Sequence, residues 1–334
     1  MKSVLAACVV LILSACAPLA QSSTADSAEA SPSASAGSPY GGATAVIDVA
    51  SGPRGVAFAA GSVWVASTIG GVVQRVDPAT NAVIAEIQVE RPVTLVTLDG
   101  ELWASVLNGD PSSDDEVVRI DTAADTVAER IAVPVFHNIA AGAVAIWTVD
   151  GVGELRRIDP RTGDVMSFGS AGGITIGIAA NDEAVWGIRE DGAAWRIPAS
   201  GGPLVEASLG VAVPGRSRVA VGSGTGGKVW VAVPGTVLAL DPTDLTVVTS
   251  TPLAGMELVN DLWVSETDVW LSANVTDAGL GLDGGSVLQL DPESGEVGAA
   301  FRLGPESSGV LAEADSLWAV DQADDRLVRF QLTD

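Results

Sequence analysis

Apolar and polar residues alternate along the chain with a period of two, and the pattern recurs in units of about forty residues. Stretches such as SVWVAS and VVQRVD alternate as β-strands do, and glycine and proline interrupt most windows long enough for a helix. Seven tryptophans hold equivalent places in these units: Trp64, Trp103, Trp147, Trp186, Trp230, Trp270 and Trp318. Their spacings are 39, 44, 39, 44, 40 and 48 residues. Repeats of this length built from short strands are typical of the blades of a β-propeller.

Each unit contains four candidate strands: an inner strand of small and apolar residues, the tryptophan strand, a third strand ending in Asp-Pro, and a fourth strand such as NAVIAEIQV. The ends of the third strand are Asp77-Pro78, Asp159-Pro160, Asp241-Pro242 and Asp291-Pro292, with Asp121-Thr122 as a variant. Aspartate accepts amide hydrogen bonds at the start of a tight turn and proline fixes φ at the next position, so these pairs predict hairpin turns rather than metal ligands. The tryptophan rings are expected to fill the wedge between neighbouring blades, with Trp195 and Trp263 as packing or rim residues outside the series.

The two ends of the repeat region predict how the ring closes. The last unit has only three strands, whereas residues 43–49 form an additional strand before the first unit and match the fourth-strand pattern. Pairing of these two ends in one blade would leave no open sheet edge. We therefore predict an all-β fold for residues 43–334, a seven-bladed propeller of four-stranded antiparallel blades in which the N-terminal strand completes the last blade.

The N-terminus carries a targeting signal. Lys2 precedes an apolar stretch at residues 4–13, which is too short for an ordinary membrane span, and LSAC follows. LSAC resembles the lipobox of bacterial lipoproteins, which implies removal of residues 1–15 and lipidation of Cys16; ordinary secretory cleavage nearby is the alternative. Residues 16–42, rich in Ser, Ala, Pro and Gly, then predict a flexible tether. This places the protein outside the cytoplasm, attached to the bacterial membrane only by its lipid.

The composition of the chain limits the classes of partner and of chemical site that the protein can have. The chain has 42 acidic and 17 basic residues and a net charge of −25, which disfavours nucleic acid and is typical of a solvated acidic surface. After cleavage only Cys16 remains of the two cysteines, so no disulfide is expected. The single histidine excludes a multi-histidine metal site, and G-x-S-x-G, phosphate-loop and HExxH motifs are missing. We expect a monomer that binds an envelope protein or a small molecule and needs no cofactor.

The strand pairs VWVAS…QRVD, LWASV…VRID, IWTVD…RRID and VWGIR…WRIP resemble those of YVTN-type surface repeats and of propellers related to streptogramin B (virginiamycin B) lyase. The lyase resemblance implies elimination by a histidine base with Mg²⁺ held by acidic residues. In FHNIAAGAVAIWTVD, His137 and Asp150 match that pattern in part. Asn138 replaces a small residue, Asp150 replaces a glutamate at a shorter spacing, and no second acid matches. His137 and Asp150 are thus the catalytic candidates, and a polar residue at the channel mouth is the alternative for His137.

Propeller topology indicates where a ligand would bind. The connections leading into the inner strands and the loops after the tryptophan strands lie on one face of a propeller. The ligand-binding candidates on that face are Arg54, His137, Asn138, Asp150, Arg189, Arg216 and Arg218. The loops LNGDPSSDDE and NVTDAGLGLDGG are long, which favours either a functional role or flexibility. Their candidates for a Mg²⁺ or Ca²⁺ site are Asp110, Asp114, Asp115, Asp277 and Asp283, with solvated acidic loops as the alternative.

Because no complete acid and base pair is evident, the sequence favours a binding or scaffolding module anchored in the cell envelope over an enzyme. Two alternatives stay open: a Mg²⁺-dependent lyase-like or hydrolase-like enzyme, and the extracellular partner of a sensor.

Overall fold

The computed structural model describes residues 40–107, 115–135, 138–213, 217–222, 227–265, 267–277 and 280–332. Regular structure in these ranges consists of 28 strands, numbered β1 to β28 in chain order. They form seven four-stranded sheets, and every pairing is antiparallel, so the predicted seven-bladed propeller is confirmed. Across the same ranges, no helix has the length and apolar character needed to cross a membrane.

The four positions in a blade repeat around the ring. The innermost strands are β2 (Pro53–Ala59), β6 (Pro92–Leu98), β10 (Ile139–Gly142), β14 (Thr175–Ala180), β18 (Arg218–Val221), β22 (Met256–Val264) and β26 (Ser307–Glu313). The tryptophan strands are β3 (Ser62–Ser67), β7 (Glu101–Val106), β11 (Ala145–Val149), β15 (Ala184–Arg189), β19 (Val229–Val233), β23 (Val269–Asp277) and β27 (Ser316–Asp321). The third strands are β4 (Val72–Asp77), β8 (Glu116–Asp121), β12 (Glu154–Ile158), β16 (Ala193–Pro198), β20 (Thr236–Leu240), β24 (Leu282–Leu290) and β28 (Arg326–Gln331). The outer strands are β5 (Ala82–Gln88), β9 (Thr126–Ala132), β13 (Val165–Ser170), β17 (Val205–Ser208), β21 (Val247–Pro252), β25 (Val297–Arg302) and β1 (Ala43–Asp48).

The seventh blade contains both ends of the described region. Strand β1 lies antiparallel to β28, with Val46 opposite Val328 and Asp48 opposite Arg326. Just before β1, the buried Tyr40 hydroxyl donates a 2.8 Å hydrogen bond to Asp321, which ends the tryptophan strand of the same blade. The outer position of this blade is thus taken by the N-terminal strand, as the sequence pattern predicts.

The seven tryptophans lie between blades. None is more than 2% exposed, and each belongs to an apolar cluster that includes residues of the next blade around the ring. Trp64, for example, packs with Leu95 and Leu102 of the second blade. Its indole N–H donates to the Ala59 carbonyl at 3.0 Å. The predicted wedge role is therefore confirmed.

The Asp-Pro pairs form the predicted turns. Asp77 accepts the Ala79 amide at 2.9 Å, and Asp159 accepts that of Arg161 at 2.8 Å. Asn81, at φ 54°, and Gly163, at φ 72°, supply the left-handed residue that each turn needs.

The same turns also receive a bond from the preceding blade. Arg329 donates to the Pro78 carbonyl at 2.7 Å, and Arg75 donates to the Thr122 carbonyl at 3.1 Å. Trp186 donates to the Pro242 carbonyl at 2.9 Å, and Lys228 donates to the Pro292 carbonyl at 2.7 Å. In addition, the guanidinium groups of Arg75 and Arg329 lie over the tryptophan rings of their own blades, 5.4 and 4.9 Å from the centroids. In the first and seventh blades the arginine of the third strand therefore fastens one blade to the next, which gives the RV and RF dipeptides there a structural reason.

One predicted loop is mostly strand. In NVTDAGLGLDGG, strand β23 continues to Asp277 and β24 begins at Leu282, so the hairpin of the sixth blade is extended to nine residues on each side. Val275 and Leu282 are buried in the cluster that also contains Met256, and this burial explains why the chain pairs here instead of looping. Most of the other long loop, residues 108–114, lies outside the described ranges.

Candidate functional site

The connections into the inner strands and the turns after the tryptophan strands share one face of the propeller, which we call the loop face. Backbone bonds join the two kinds of segment: Thr68 donates to Gly52 at 2.9 Å, Glu190 to Ile174 at 3.0 Å, and Thr276 to Gly255 at 2.9 Å. The opposite face, which carries the Asp-Pro turns, is called the turn face.

A central channel begins at the loop face. It encloses a cavity of about 790 Å³ lined by the inner strands of all seven blades. That volume lies within the range of sites that hold small molecules. The channel is therefore the principal candidate site in the described part of the chain.

One layer of residues surrounds the channel near the loop face. In each blade, the residue that follows the tryptophan pairs with a residue of the inner strand. The member of the layer is the residue immediately before that inner-strand residue in the sequence. The seven members of this mouth layer, in blade order, are Gly55, Thr94, Asn138, Gly177, Arg218, Asp261 and Gly309. Four blades therefore contribute polar side chains at equivalent positions, and three contribute only backbone.

Two of these glycines are required by close approach of the inner strands. A Cβ on Gly55 would lie 2.6 Å from the Val93 carbonyl oxygen, and one on Gly309 would overlap the Arg54 carbonyl oxygen. Blades seven and one leave no room for side chains at this position, so the chemistry of the layer comes from other blades and from Arg54 beside it.

Arg54 lies at a β-bulge, where the register between β2 and β3 shifts between Pro53 and Gly55. Bulges of this kind redirect a side chain and are frequent at barrel rims. The residue is exposed and lines the channel. Among the described residues, no carboxylate and no other acceptor pairs with its guanidinium group. An unpaired cation at the mouth is notable in a chain of net charge −25.

Arg218 and Asp261 are neighbours in the mouth layer. Arg218 donates to the carbonyls of Asn260 at 2.9 Å and Ser217 at 3.0 Å. The Asp261 carboxylate accepts the amides of Leu262 at 2.9 Å and Val310 at 3.0 Å. Burial raises the pKa of Asp261, and it outweighs the Val310 amide, the nearby Arg218 charge and the Leu262 amide, all of which lower it. A second bulge, at Asn260, places this carboxylate in the channel wall.

Thr94 and Asn138 form the other polar pair of the layer. The Thr94 hydroxyl donates to the Asn138 side-chain oxygen at 3.3 Å, and the Thr94 amide donates to Ser105 at 3.0 Å. The Asn138 amide nitrogen has no acceptor among the described residues, so its N–H groups can serve a ligand.

The end of the channel nearer the turn face is apolar and aromatic. Phe58, near the end of β2, and Trp263, near the end of β22, line it and are partly exposed. Both pack against the cluster that contains Leu311. The channel is thus polar at the loop face and aromatic further in.

Two predicted site residues lie away from the channel lining. Asp150 accepts the amides of Val152 at 3.0 Å and Glu154 at 2.9 Å and the Arg156 guanidinium at 2.9 Å, which ties it to the turn between β11 and β12. Burial alone would raise the pKa of Asp150, but the Glu154 amide, the Arg156 guanidinium and the Val152 amide together hold it below its usual range.

Arg189 is likewise held by its own blade. It pairs with Asp191 at 3.2 Å and with Glu206, and it donates to the Ala171 carbonyl at 2.8 Å. Of the predicted ligand-binding residues, Arg54, Asn138 and Arg218 line the channel.

The remaining candidates fall outside the described ranges or show no metal geometry. Those outside are Cys16, Asp110, Asp114, His137 and Arg216. Asp115 accepts the Val133 amide through its carbonyl at 2.9 Å, Asp277 accepts the Leu280 amide at 3.2 Å, and Asp283 lies opposite Thr276 in the hairpin. Within the described ranges, no three His, Cys, Asp or Glu side chains come together as a metal site.

Sequence reasoning missed Thr94, Asp261 and Trp263 as channel residues. The usable signal was the tryptophan register, because counting back from each tryptophan strand identifies the mouth layer. The count is nine residues in six of the blades, including from Trp270 back to Asp261, and twelve in the fifth blade, from Trp230 back to Arg218.

Comparison with known proteins identifies a fold and no family. No family model matches the chain, and no curated protein matches it. A chain of the crystal structure of the mitotic checkpoint complex superposes with a TM-score of 0.69 at 13% identity, covering 95% of this chain and 99% of that one. The computationally designed Ika8 protein gives a TM-score of 0.59 at 11% identity, covering 85% of this chain and 98% of that one. At these identities the likeness shows the propeller fold alone.

Proposed function

We propose that the chain is a binding module of the bacterial cell envelope whose ligand enters the channel from the loop face and is held there by an anionic group. The observation that carries this proposal is the Arg54 guanidinium at the channel mouth, which has no acceptor among the described residues. Arginine binds carboxylates and phosphates through two parallel hydrogen bonds, and it stays charged at every physiological pH.

The surroundings support an anion at this point rather than a solvated arginine. Arg156 and Arg189 pair with carboxylates in their blades, whereas Arg54, Arg161 and Arg302 do not pair with one among the described residues, and of these three only Arg54 lines the channel. Arg54 instead stands beside Gly55 and Gly309, where the inner strands pack too closely for another side chain. The Asn138 amide adds further donors on the same side of the channel.

A binding role is favoured over catalysis because the acidic candidate is already engaged. Asp150 accepts three hydrogen bonds within its own hairpin and lies apart from the channel lining, so it is poorly suited to act as an acid or base there.

Attachment to the membrane through Cys16 is the second part of the proposal, and it is supported by the LSAC sequence alone. A lipidated cysteine of this type would bear two acyl chains on its thiol, which is enough for stable anchoring. The variant Cys16→Ser is expected to appear in the culture medium. Retention of Cys16→Ser in the membrane fraction would contradict the anchor.

The binding proposal is tested with two small probes that differ only in charge, 3-phenylpropionate and its neutral amide, 3-phenylpropanamide. Isothermal titration calorimetry should show that the wild-type protein binds the carboxylate at least about tenfold more tightly. Arg54→Gln should abolish this difference.

The matched control is Arg302→Gln, which alters net charge by the same amount on the exposed outer strand β25. Equal affinity for the carboxylate in wild type and Arg54→Gln would overturn the proposal. So would an equal loss in Arg302→Gln, because the effect would then come from net charge.

A further inference from the structure

Asp261 and Arg54 belong to different blades and flank the same inner strand of the seventh blade. The inner strand of the seventh blade connects them: Ser308 donates to the Arg54 carbonyl at 3.3 Å, and two residues later the Val310 amide donates to the Asp261 carboxylate at 3.0 Å. Both residues line the channel, and Asp261 lies one step further from the loop face. A positive and a negative group thus face one cavity across a single strand.

The Asp261 carboxylate retains capacity for a ligand. A carboxylate offers about four acceptor positions. Each Asp261 oxygen receives one backbone amide, from Leu262 or from Val310. The side chain is partly exposed to the channel, so the remaining positions can accept N–H groups from within the cavity.

Arg218 offsets part of the effect of burial on this carboxylate. It lies next to Asp261 in the mouth layer, and its positive charge opposes the effect of burial on Asp261. Two of its own nitrogens donate to the Asn260 and Ser217 carbonyls, which directs those N–H groups to the backbone.

From this arrangement we infer that the channel binds a small zwitterion of the amino-acid type, its carboxylate at Arg54 and its ammonium group at Asp261. The inference rests on the proposed function, because it uses the same anion subsite and adds a second group to the ligand. Recognition of both groups would favour the zwitterion over simple acids and simple amines, since each of these would leave either Asp261 or Arg54 without a partner in the channel.

The aromatic end of the channel identifies the remaining part of the ligand. Phe58 and Trp263 lie beyond the charged pair, away from the loop face, and both are partly exposed to the cavity. An apolar or aromatic side chain attached to the zwitterion would pack against them.

The test uses L-phenylalanine, 3-phenylpropionate, which lacks the amine, and phenethylamine, which lacks the carboxylate. Calorimetry on the wild-type protein should show L-phenylalanine binding at least about tenfold more tightly than either analogue. Asp261→Asn should bring L-phenylalanine to within about twofold of 3-phenylpropionate while leaving 3-phenylpropionate itself bound at least as tightly as before. The control Glu313→Gln makes the same charge change at the other end of the channel and should retain the preference.

The outcomes separate the two proposals. If wild type binds L-phenylalanine no more tightly than 3-phenylpropionate, the zwitterion inference is wrong, whereas loss of 3-phenylpropionate binding in Arg54→Gln would still uphold the anion site. An equal weakening of both probes by Asp261→Asn would assign Asp261 to the integrity of the channel and would also contradict the inference. A wild-type protein that binds no probe at millimolar concentration contradicts both proposals. The wild-type comparison decides the question even if Asp261→Asn does not fold.

Discussion

The two faces of the propeller are built from the same repeat but differ in how closely equivalent positions resemble one another. On the turn face, the Asp-Pro turns recur, and bonds such as those of Arg75 and Arg329 join a turn carbonyl to the preceding blade. On the loop face, equivalent positions diverge, and the mouth layer holds glycine in some blades and Thr94, Arg218 or Asp261 in others. The repeated contacts hold the ring together, and the departures from the repeat supply its chemistry.

The largest expected effect concerns the buried tryptophans. Trp64→Ala should lower the free energy of unfolding by about 3–5 kcal/mol, because the ring is fully buried between two blades. Trp263→Ala should cost less than half as much, because that ring is partly exposed in the channel. Urea unfolding followed by circular dichroism measures both. Equal losses would mean that Trp263 is a core residue and not a channel residue.

The next effect concerns the bonds between blades on the turn face. Arg329 donates to Ser316 at 2.8 Å and to Pro78 at 2.7 Å while stacking on Trp318. Arg329→Lys keeps the charge but loses the planar fork, so we expect a loss of about 1–3 kcal/mol in the free energy of unfolding.

The comparison variant is Arg302→Lys, on an exposed strand position, which should change the free energy of unfolding by no more than about 0.5 kcal/mol. If the two variants are equally stable in urea, the third-strand arginines do not fasten the blades.

A smaller, pH-dependent effect is expected at the closure of the ring. Burial raises the pKa of Asp321, and it outweighs the Tyr40 hydroxyl and the amides of Asp324 and Ala323, which lower it. A folded-state pKa above the unfolded value stabilises the fold below the unfolded pKa, and this contribution is lost as pH rises through the folded pKa. Asp321→Asn should therefore lose less stability than wild type between about pH 4 and pH 7. Thermal melts across that interval measure the two slopes, and a steeper fall in the variant would show that the sign is wrong.

The smallest effect on stability is expected at the channel mouth. Arg54→Gln should change the free energy of unfolding by no more than about 0.5 kcal/mol, since its guanidinium has no partner among the described residues. Urea unfolding of the variant measures this directly. A loss comparable to that of Arg329→Lys would indicate that Arg54 supports the fold.

The sequence predicts the repeated features of the fold better than the departures from the repeat. The blade count, the Asp-Pro turns and the N-terminal strand of the last blade depend on local patterns that recur, such as Trp64 followed by Asp77-Pro78. These features can therefore be predicted from the sequence alone. Contacts between blades cannot be predicted from local patterns, because their partners lie far apart in the sequence; Arg329 and Pro78, for example, are 251 residues apart. A one-residue bulge such as that at Asn260 changes which side chain meets the channel and leaves no periodic trace.

The candidate site shows most clearly which residues could not be predicted from the sequence. Sequence reasoning proposed Arg54, Asn138 and Arg218 from their place before an inner strand, and the structure places all three along the channel. It also proposed Asp150 from a partial motif, and that carboxylate is engaged in its own hairpin. Asp261 was missed because it lies inside an inner strand, in NDLWV, where no motif marks it and only the nine-residue count back from Trp270 identifies its position.

The most direct test of the central claim is a crystal structure with L-4-bromophenylalanine, in which anomalous scattering locates the bromine without ambiguity. The ligand should lie in the channel with its carboxylate at Arg54 and its ammonium group at Asp261. Its bromine should lie further in, on the side of Phe58 and Trp263. Bromine signal only on the outer strands or on the turn face, with the channel mouth free of the ligand, would contradict the claim that the departures from the repeat form the binding site.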